Sequence, residues 1–191
     1  MSLPKQIHRY QELSSVLNTT RAFLMTRYGI STTRVIDVTG QITASYDTKE
    51  FKDQLKAITS ATHSESYLTA TWLGTRKIEV IQGTKIIAEW KMPALPSSLT
   101  RIDFPLGCSH GLSQLKLEPS RLLDVDQRFI VNSIPYTWDR TLTLYAHYLG
   151  SKVQVGKYLR YMRCIKSNGV LLDTEEVDEV VGVLTCLVML R

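Results

Sequence analysis

The segment richest in potential chemistry is Gly107-Cys108-Ser109-His110-Gly111, which fits the G-x-S-x-G pattern of a nucleophile elbow. Asp126 or Asp139, and then His147, follow in the order that the acid and histidine partners of an elbow serine take. That chemistry needs a buried strand running straight into the serine, so that its hydroxyl sits at the tip of a sharp strand-to-helix turn. Here the preceding residues, Ile102-Asp103-Phe104-Pro105, are short, charged and interrupted by proline. The repeating strand–helix alternation of a parallel hydrolase sheet is also missing. Ser109 therefore reads as a glycine-flanked loop residue, with a serine esterase kept as a minor alternative. Metal chemistry is no better supported. His8, His63, His110 and His147 are scattered, and a single Cys108/His110 pair falls short of the two closely spaced pairs a zinc site uses. Neither a Walker A loop nor a dinucleotide glycine motif occurs, so no cofactor is expected. Trp72, Trp90 and Trp138 read as core or sheet-face aromatics rather than a base-stacking platform.

Charge is more informative than these motifs. The net charge of +5 and a pI near 9.1 point to acidic partners: nucleic acid, an anionic membrane face or an acidic protein surface. From Arg140 to Leu172 there are six basic residues and no acid, and the next seven residues, Asp173 to Glu179, hold five acids. Val155, Leu159 and Met162 fall at helical spacing, which predicts a helix carrying Lys157, Arg160 and Arg163 on its outward arc beside Tyr158 and Tyr161. Lys152, Lys157, Arg160, Arg163 and Lys166 are the expected membrane or nucleocapsid contacts, with Arg21, Arg27 and Arg34 as a secondary set. Asp173, Glu175, Glu176, Asp178 and Glu179 are the expected self-association surface, meeting the basic stripe of another subunit. The competing expectation is that the two blocks neutralise each other within one chain.

The elements that would carry these residues read as an α+β domain. A β-branched run, Arg34 to Tyr46, predicts a strand. Asp47 with Glu50 makes a capping-box pattern for an amphipathic helix over about 48–60, whose apolar face is Phe51, Leu55 and Ile58. Tyr67 to Trp90, punctuated by Gly74 and Gly83, predicts two or three antiparallel strands, and residues 97–120 a long loop with a short helix or strand inside. Phe129–Val131 and Thr141–Tyr148 read as strands, and the apolar C-terminus is a helix or, nearly as well, a strand. The expected whole is a mainly antiparallel sheet packed by the helix at 48–60 and further short helices. Residues 34–191 form one domain, and 1–33 a partly ordered basic arm with a helix over Tyr10–Met25. Three widely spaced cysteines, no signal-peptide core and no bilayer-length apolar run lead us to expect a reducing, cytosol-facing location.

The order of elements resembles that of a rhabdovirus matrix protein. The resemblance rests on Val38-Thr39-Gly40-Gln41-Ile42-Thr43-Ala44-Ser45-Tyr46 running into the helix, on Tyr67–Gly74, and on Arg140–Tyr148. It implies a non-enzymatic structural protein that self-associates and bridges a viral nucleocapsid to the inner leaflet of an anionic membrane. The implied partners are a nucleoprotein–RNA complex, further copies of the chain and a viral glycoprotein. The implied location is the virion, the host cytoplasm and the cytoplasmic face of host membranes. A Lys-rich N-terminus with a proline-rich budding motif is absent, which fits a plant-infecting relative better. A second resemblance, carried by Tyr136-Thr137-Trp138, Val155-Gly156-Lys157-Tyr158 and the apolar C-terminal EVVGVLTCLVML, is to the tubby-like domain of fungal type. That one implies a twelve-stranded barrel around a buried C-terminal helix, and lipid or ligand binding.

Overall fold

The computed structural model describes residues 17–44, 48–60, 65–74, 77–91, 99–106, 111–119, 126–160 and 167–190. Twelve strands close into one antiparallel barrel, not the α+β arrangement expected above. They are β1 (Arg21–Tyr28), β2 (Thr32–Asp37), β3 (Leu68–Leu73), β4 (Lys77–Gln82), β5 (Lys85–Lys91), β6 (Thr100–Asp103), β7 (Gln114–Pro119), β8 (Gln127–Val131), β9 (Ile134–Trp138), β10 (Thr143–Tyr148), β11 (Ser151–Leu159) and β12 (Ser167–Leu172). Each pairs with its sequence neighbours, and β12 closes the ring on β1 through partners such as Arg21↔Leu172 and Phe23↔Val170. Two helices are described, α1 (Lys49–Ser60) between β2 and β3, and α2 (Glu179–Met189) at the C-terminus.

Period-two patterning builds the wall. In β7, Leu115 and Leu117 are buried while Gln114, Lys116 and Glu118 are exposed; in β4, Ile78 and Val80 point inward between Lys77 and Glu79. A barrel this wide must fill its lumen with something. Here it encloses α2, in which every residue from Val180 to Val188 is buried. A helix that is apolar all round makes sense only where all its faces are covered. Gly182 lets α2 approach the wall: a Cβ there would lie 2.7 Å from Leu172 Cδ1. The one polar side chain in the middle of the helix is satisfied. Trp138 Nε1 donates to Thr185 Oγ1 at 3.0 Å, and that hydroxyl donates to the Val181 carbonyl at 2.9 Å.

Connections after odd-numbered strands lie at one end of the barrel, here the far end. Those after even-numbered strands lie at the other, the entry end, where α2 enters the lumen. The helix is fastened at its entry. Asp178 Oδ1 accepts the Val181 N–H at 3.0 Å as N-cap, Arg21 meets Glu179 at 3.0 Å, and the Tyr67 hydroxyl donates to Glu179. The Tyr136 hydroxyl donates to the Glu176 carbonyl at 2.7 Å.

Helix α1 packs outside the wall. Its buried Phe51 and Leu55 form a second cluster with Leu17, Ala22, Leu24, Ile36, Val38 and Leu171. Thr48 starts it, its hydroxyl accepting the Phe51 N–H at 3.1 Å. Three expectations are corrected here. Residues 21–33, assigned to an arm, supply β1 and the start of β2, so the part of the expected Tyr10–Met25 helix that is described is strand after a non-helical lead-in. The basic helix at 155–162 is, over its described part, the end of β11, with Lys157 on the outer face and Tyr158 buried. The expected loop at 97–120 contains both β6 and β7.

Candidate functional site

Because α2 fills the lumen, the exposed charged side chains lie on the outside of the wall. Strand order distributes the charges there. At the far end lie Arg27 near the end of β1, Lys77 opening β4, Lys91 closing β5, Arg101 in β6, Arg140 in the β9–β10 turn, Lys157 near the end of β11 and Arg160 just beyond it. Lys157 Nζ reaches across to that turn and donates to the Thr141 carbonyl at 2.9 Å and Thr143 Oγ1 at 2.7 Å. Among the described acids of this end, Asp139 is committed to the same turn, accepting from the Thr141 and Thr143 N–H groups at 2.9 and 3.0 Å. Glu118 and Asp126 also fall at this end, beside the β7–β8 connection, but more of the described acids lie at the entry end, among them Asp37, Glu65, Glu175, Glu176, Asp178 and Glu179.

Register adds a second feature. Lys77↔Lys91, Lys91↔Arg101 and Arg101↔Lys116 are directly opposed pairs, so four cations stand in one row across β4–β7. The adjacent row toward the entry end is Glu79↔Glu89↔Asp103↔Gln114. Like charges directly opposed are destabilising, and the second row offsets this: Lys77 Nζ lies 2.8 Å from Glu79 and 3.1 Å from Glu89. Hydrogen bonds to these two glutamates raise the Lys77 pKa. Leu73, directly opposite Lys77, is an exposed aliphatic at one end of the cation row.

The row runs at Lys116 into a groove of about 630 Å³ on the outer face of β7–β10. Lys116, Glu118, Arg128, Ile130, Thr137 and His147 are among its lining residues. Arg128 stands opposite Glu118 on one side and Thr137 on the other. His147 Nε2 is 3.0 Å from Thr137 Oγ1. Partial burial lowers the His147 pKa, and the cations Lys152 and Arg128 lower it further, which favours the neutral ring.

The residues singled out from the sequence are thus divided between the two ends. Arg27, Lys157 and Arg160 come together at the far end. Arg21 is at the entry end, paired with Asp37 at 3.0 Å as well as with Glu179. Arg34 lies within β2, half-buried, and Lys152 opens β11 with its ammonium 3.6 Å from the Tyr145 ring centroid. Arg163, Lys166 and the Cys108-Ser109-His110 run lie outside the described residues. Of the acids, Asp173 is buried, and burial raises its pKa; Glu176 accepts the Tyr148 hydroxyl at 2.7 Å. Asp178 and Glu179 fasten α2, and Glu175 is exposed. Sequence reasoning missed Lys77, Lys91, Arg101, Lys116 and Arg128. Comparison with known protein families, curated proteins and solved structures finds no match for the chain.

Proposed function

We propose that this chain is a non-enzymatic binding domain that docks the far end of its barrel on an anionic membrane surface. The observation that carries the reading is the separation of charge along the barrel axis, with Arg27, Lys91, Arg101, Arg140 and Arg160 at one end and the acid block at the other. Ile30, fully exposed in the β1–β2 turn, and Leu73 protrude at the same end, where an aliphatic side chain could enter the headgroup region. Exposed leucines alone distinguish nothing, since Leu106 and Leu149 stand at the entry end. What is confined to one end is the excess of cations.

A closed barrel wrapped on its own C-terminal helix supports the tubby-like resemblance over the matrix-like one. The acids that the matrix-like reading assigned to self-association include Asp178 and Glu179, which hold α2 in place, and Glu176, which receives Tyr148.

Each cation close to an anionic leaflet contributes about 1 kcal/mol, and salt screens it. Co-sedimentation with phosphatidylcholine vesicles, with and without phosphatidylserine, tests the proposal across a salt series. The expected result is binding only to the anionic vesicles, falling steeply as salt rises. Binding that ignores either phosphatidylserine or salt overturns it.

A further inference from the structure

We infer that the groove across β7–β10 is a separate site for a phosphomonoester carrying a compact apolar group. Four donors line it, one from each of four successive strands: the Lys116 ammonium on β7, the Arg128 guanidinium on β8, the Thr137 hydroxyl on β9 and the His147 ring on β10. Arg128 and Thr137 are direct cross-strand partners, and His147 and Thr137 are within hydrogen-bond distance at 3.0 Å. A carboxylate has two oxygens on one edge and can engage only part of such a set. The three terminal oxygens of a phosphomonoester can meet donors arriving from several strands, with the planar Arg128 fork taking two of them.

The same groove has an apolar part. Ile130 and Pro135, direct cross-strand partners, line it, and Ile130 is 65% exposed in a strand whose neighbours Phe129 and Val131 are buried in the core. Its volume of about 630 Å³ exceeds what a bare phosphate fills and falls within the range, about 300–1,000 Å³, of pockets for small organic ligands.

The charged groups facing His147 are Lys152 on β11 and Arg128 on β8, with Lys116 and Glu118 of β7 in the same groove. A bound dianion reverses the balance that favours the neutral ring. Ligand binding and protonation of His147 are therefore coupled: a bound dianion raises the pKa of the ring from its lowered value, and a protonated ring strengthens the hold on the dianion.

Phenyl phosphate, inorganic phosphate and benzoate are suitable probes, titrated calorimetrically into the full chain. Phenyl phosphate is expected to bind, with inorganic phosphate and benzoate each weaker by about tenfold or more. Arg128→Gln and the near-isosteric Thr137→Val should each weaken phenyl phosphate by a similar factor while leaving the unfolding midpoint in place. The double variant Lys91→Gln/Arg101→Gln, outside the groove, should bind it normally. Because this probe is soluble, failure here is distinguishable from failure of the membrane reading. Vesicles holding phosphatidic acid or phosphatidylserine at equal charge identify the source of the phosphate. Displacement of phenyl phosphate by phosphatidic acid alone assigns it to a lipid headgroup, and displacement by neither assigns it to a soluble ester. Equal displacement by both lipids, equal binding of benzoate, or no effect of Arg128→Gln overturns the inference.

Discussion

Gly182→Ala puts the packing of the central helix to a test whose sign is decisive. Alanine at this helix-interior position should be favourable by about 1 kcal/mol on propensity alone. The structure predicts the opposite. An added Cβ would lie 2.7 Å from Leu172 Cδ1 and 3.0 Å from Cδ2. Leu172 is fully buried and has little room to withdraw, because on its other side a Cβ at Gly156 would sit only 3.0 Å from Leu172 Cδ2. This leucine is wedged between two glycines, one on the helix and one on the wall. Overpacking of this kind costs about 1–3 kcal/mol, so the net effect is a destabilisation of about 1 kcal/mol. Urea unfolding reads it as a lowered midpoint at unchanged slope. Leu172→Ala alone should cost about 2–5 kcal/mol through the cavity it leaves. In that background the clash is gone, and Gly182→Ala should turn stabilising, a coupling of about 1–3 kcal/mol. If Gly182→Ala stabilises both backgrounds equally, α2 does not lie against β12 and the wedge is refuted.

Three further outcomes follow from the same geometry. Thr185→Val removes the acceptor of the Trp138 indole N–H and should cost about 1–3 kcal/mol, a penalty that should largely vanish in a Trp138→Phe background, itself destabilised by the cavity it opens; a purely additive pair in thermal unfolding contradicts the bond. Asp173, whose pKa burial raises, contributes stability that is present below the ordinary carboxylate pKa and lost as pH rises through its own higher value. Asp173→Asn should therefore gain on wild type as pH rises above the ordinary carboxylate range, and a difference that is flat with pH in urea titrations is the contrary result. The neutral form of His147 is favoured in the fold, so its contribution is present above the ordinary histidine pKa and lost as pH falls through the lowered one. Lys152→Gln should raise that pKa part of the way, since burial is the larger cause, and an unmoved NMR titration of the ring protons would count against the proposed field.

How much of this was legible in the chain depends on whether one face of an element meets water. The α1 helix was readable because Phe51, Leu55 and Ile58 stand at helical spacing against charged neighbours. β4 and β5 were readable because Gly74 and Gly83 punctuate the run and β4 alternates in polarity. β1 was not. Phe23 and Met25 face the barrel core while Ala22 and Leu24 face the cluster under α1, so the strand is covered on both sides and reads as a continuous apolar run. β11 was mistaken for a helix because Val155 and Leu159 happen to be four apart. Its register shift against β10 at Leu144/Tyr145 also disturbs the period of two. The C-terminal segment left helix and strand both open, because burial on every side removes the periodicity that separates them.

The cation row had a signal that passed unread. Lys77-Ile78-Glu79, Glu89-Trp90-Lys91, Arg101-Ile102-Asp103 and Gln114-Leu115-Lys116 reverse their charge order from one strand to the next. In an antiparallel meander that reversal brings every cation into one row. The far-end cluster of Arg27, Arg140 and Arg160 needed strand order, which no local pattern supplies.

The most direct test of the membrane reading compares the two ends at equal change in net charge. One variant reverses the far end with Arg27→Glu, Arg140→Glu and Arg160→Glu; the other reverses α1 at the entry end with Lys49→Glu, Lys52→Glu and Lys56→Glu. At about 1 kcal/mol for each cation removed, and more for reversal, the far-end variant should lose binding to phosphatidylserine vesicles by at least on the order of 100-fold. The α1 variant should lose far less. Equal losses in the two would mean that only total charge matters, and would contradict a docking surface at the far end of the barrel.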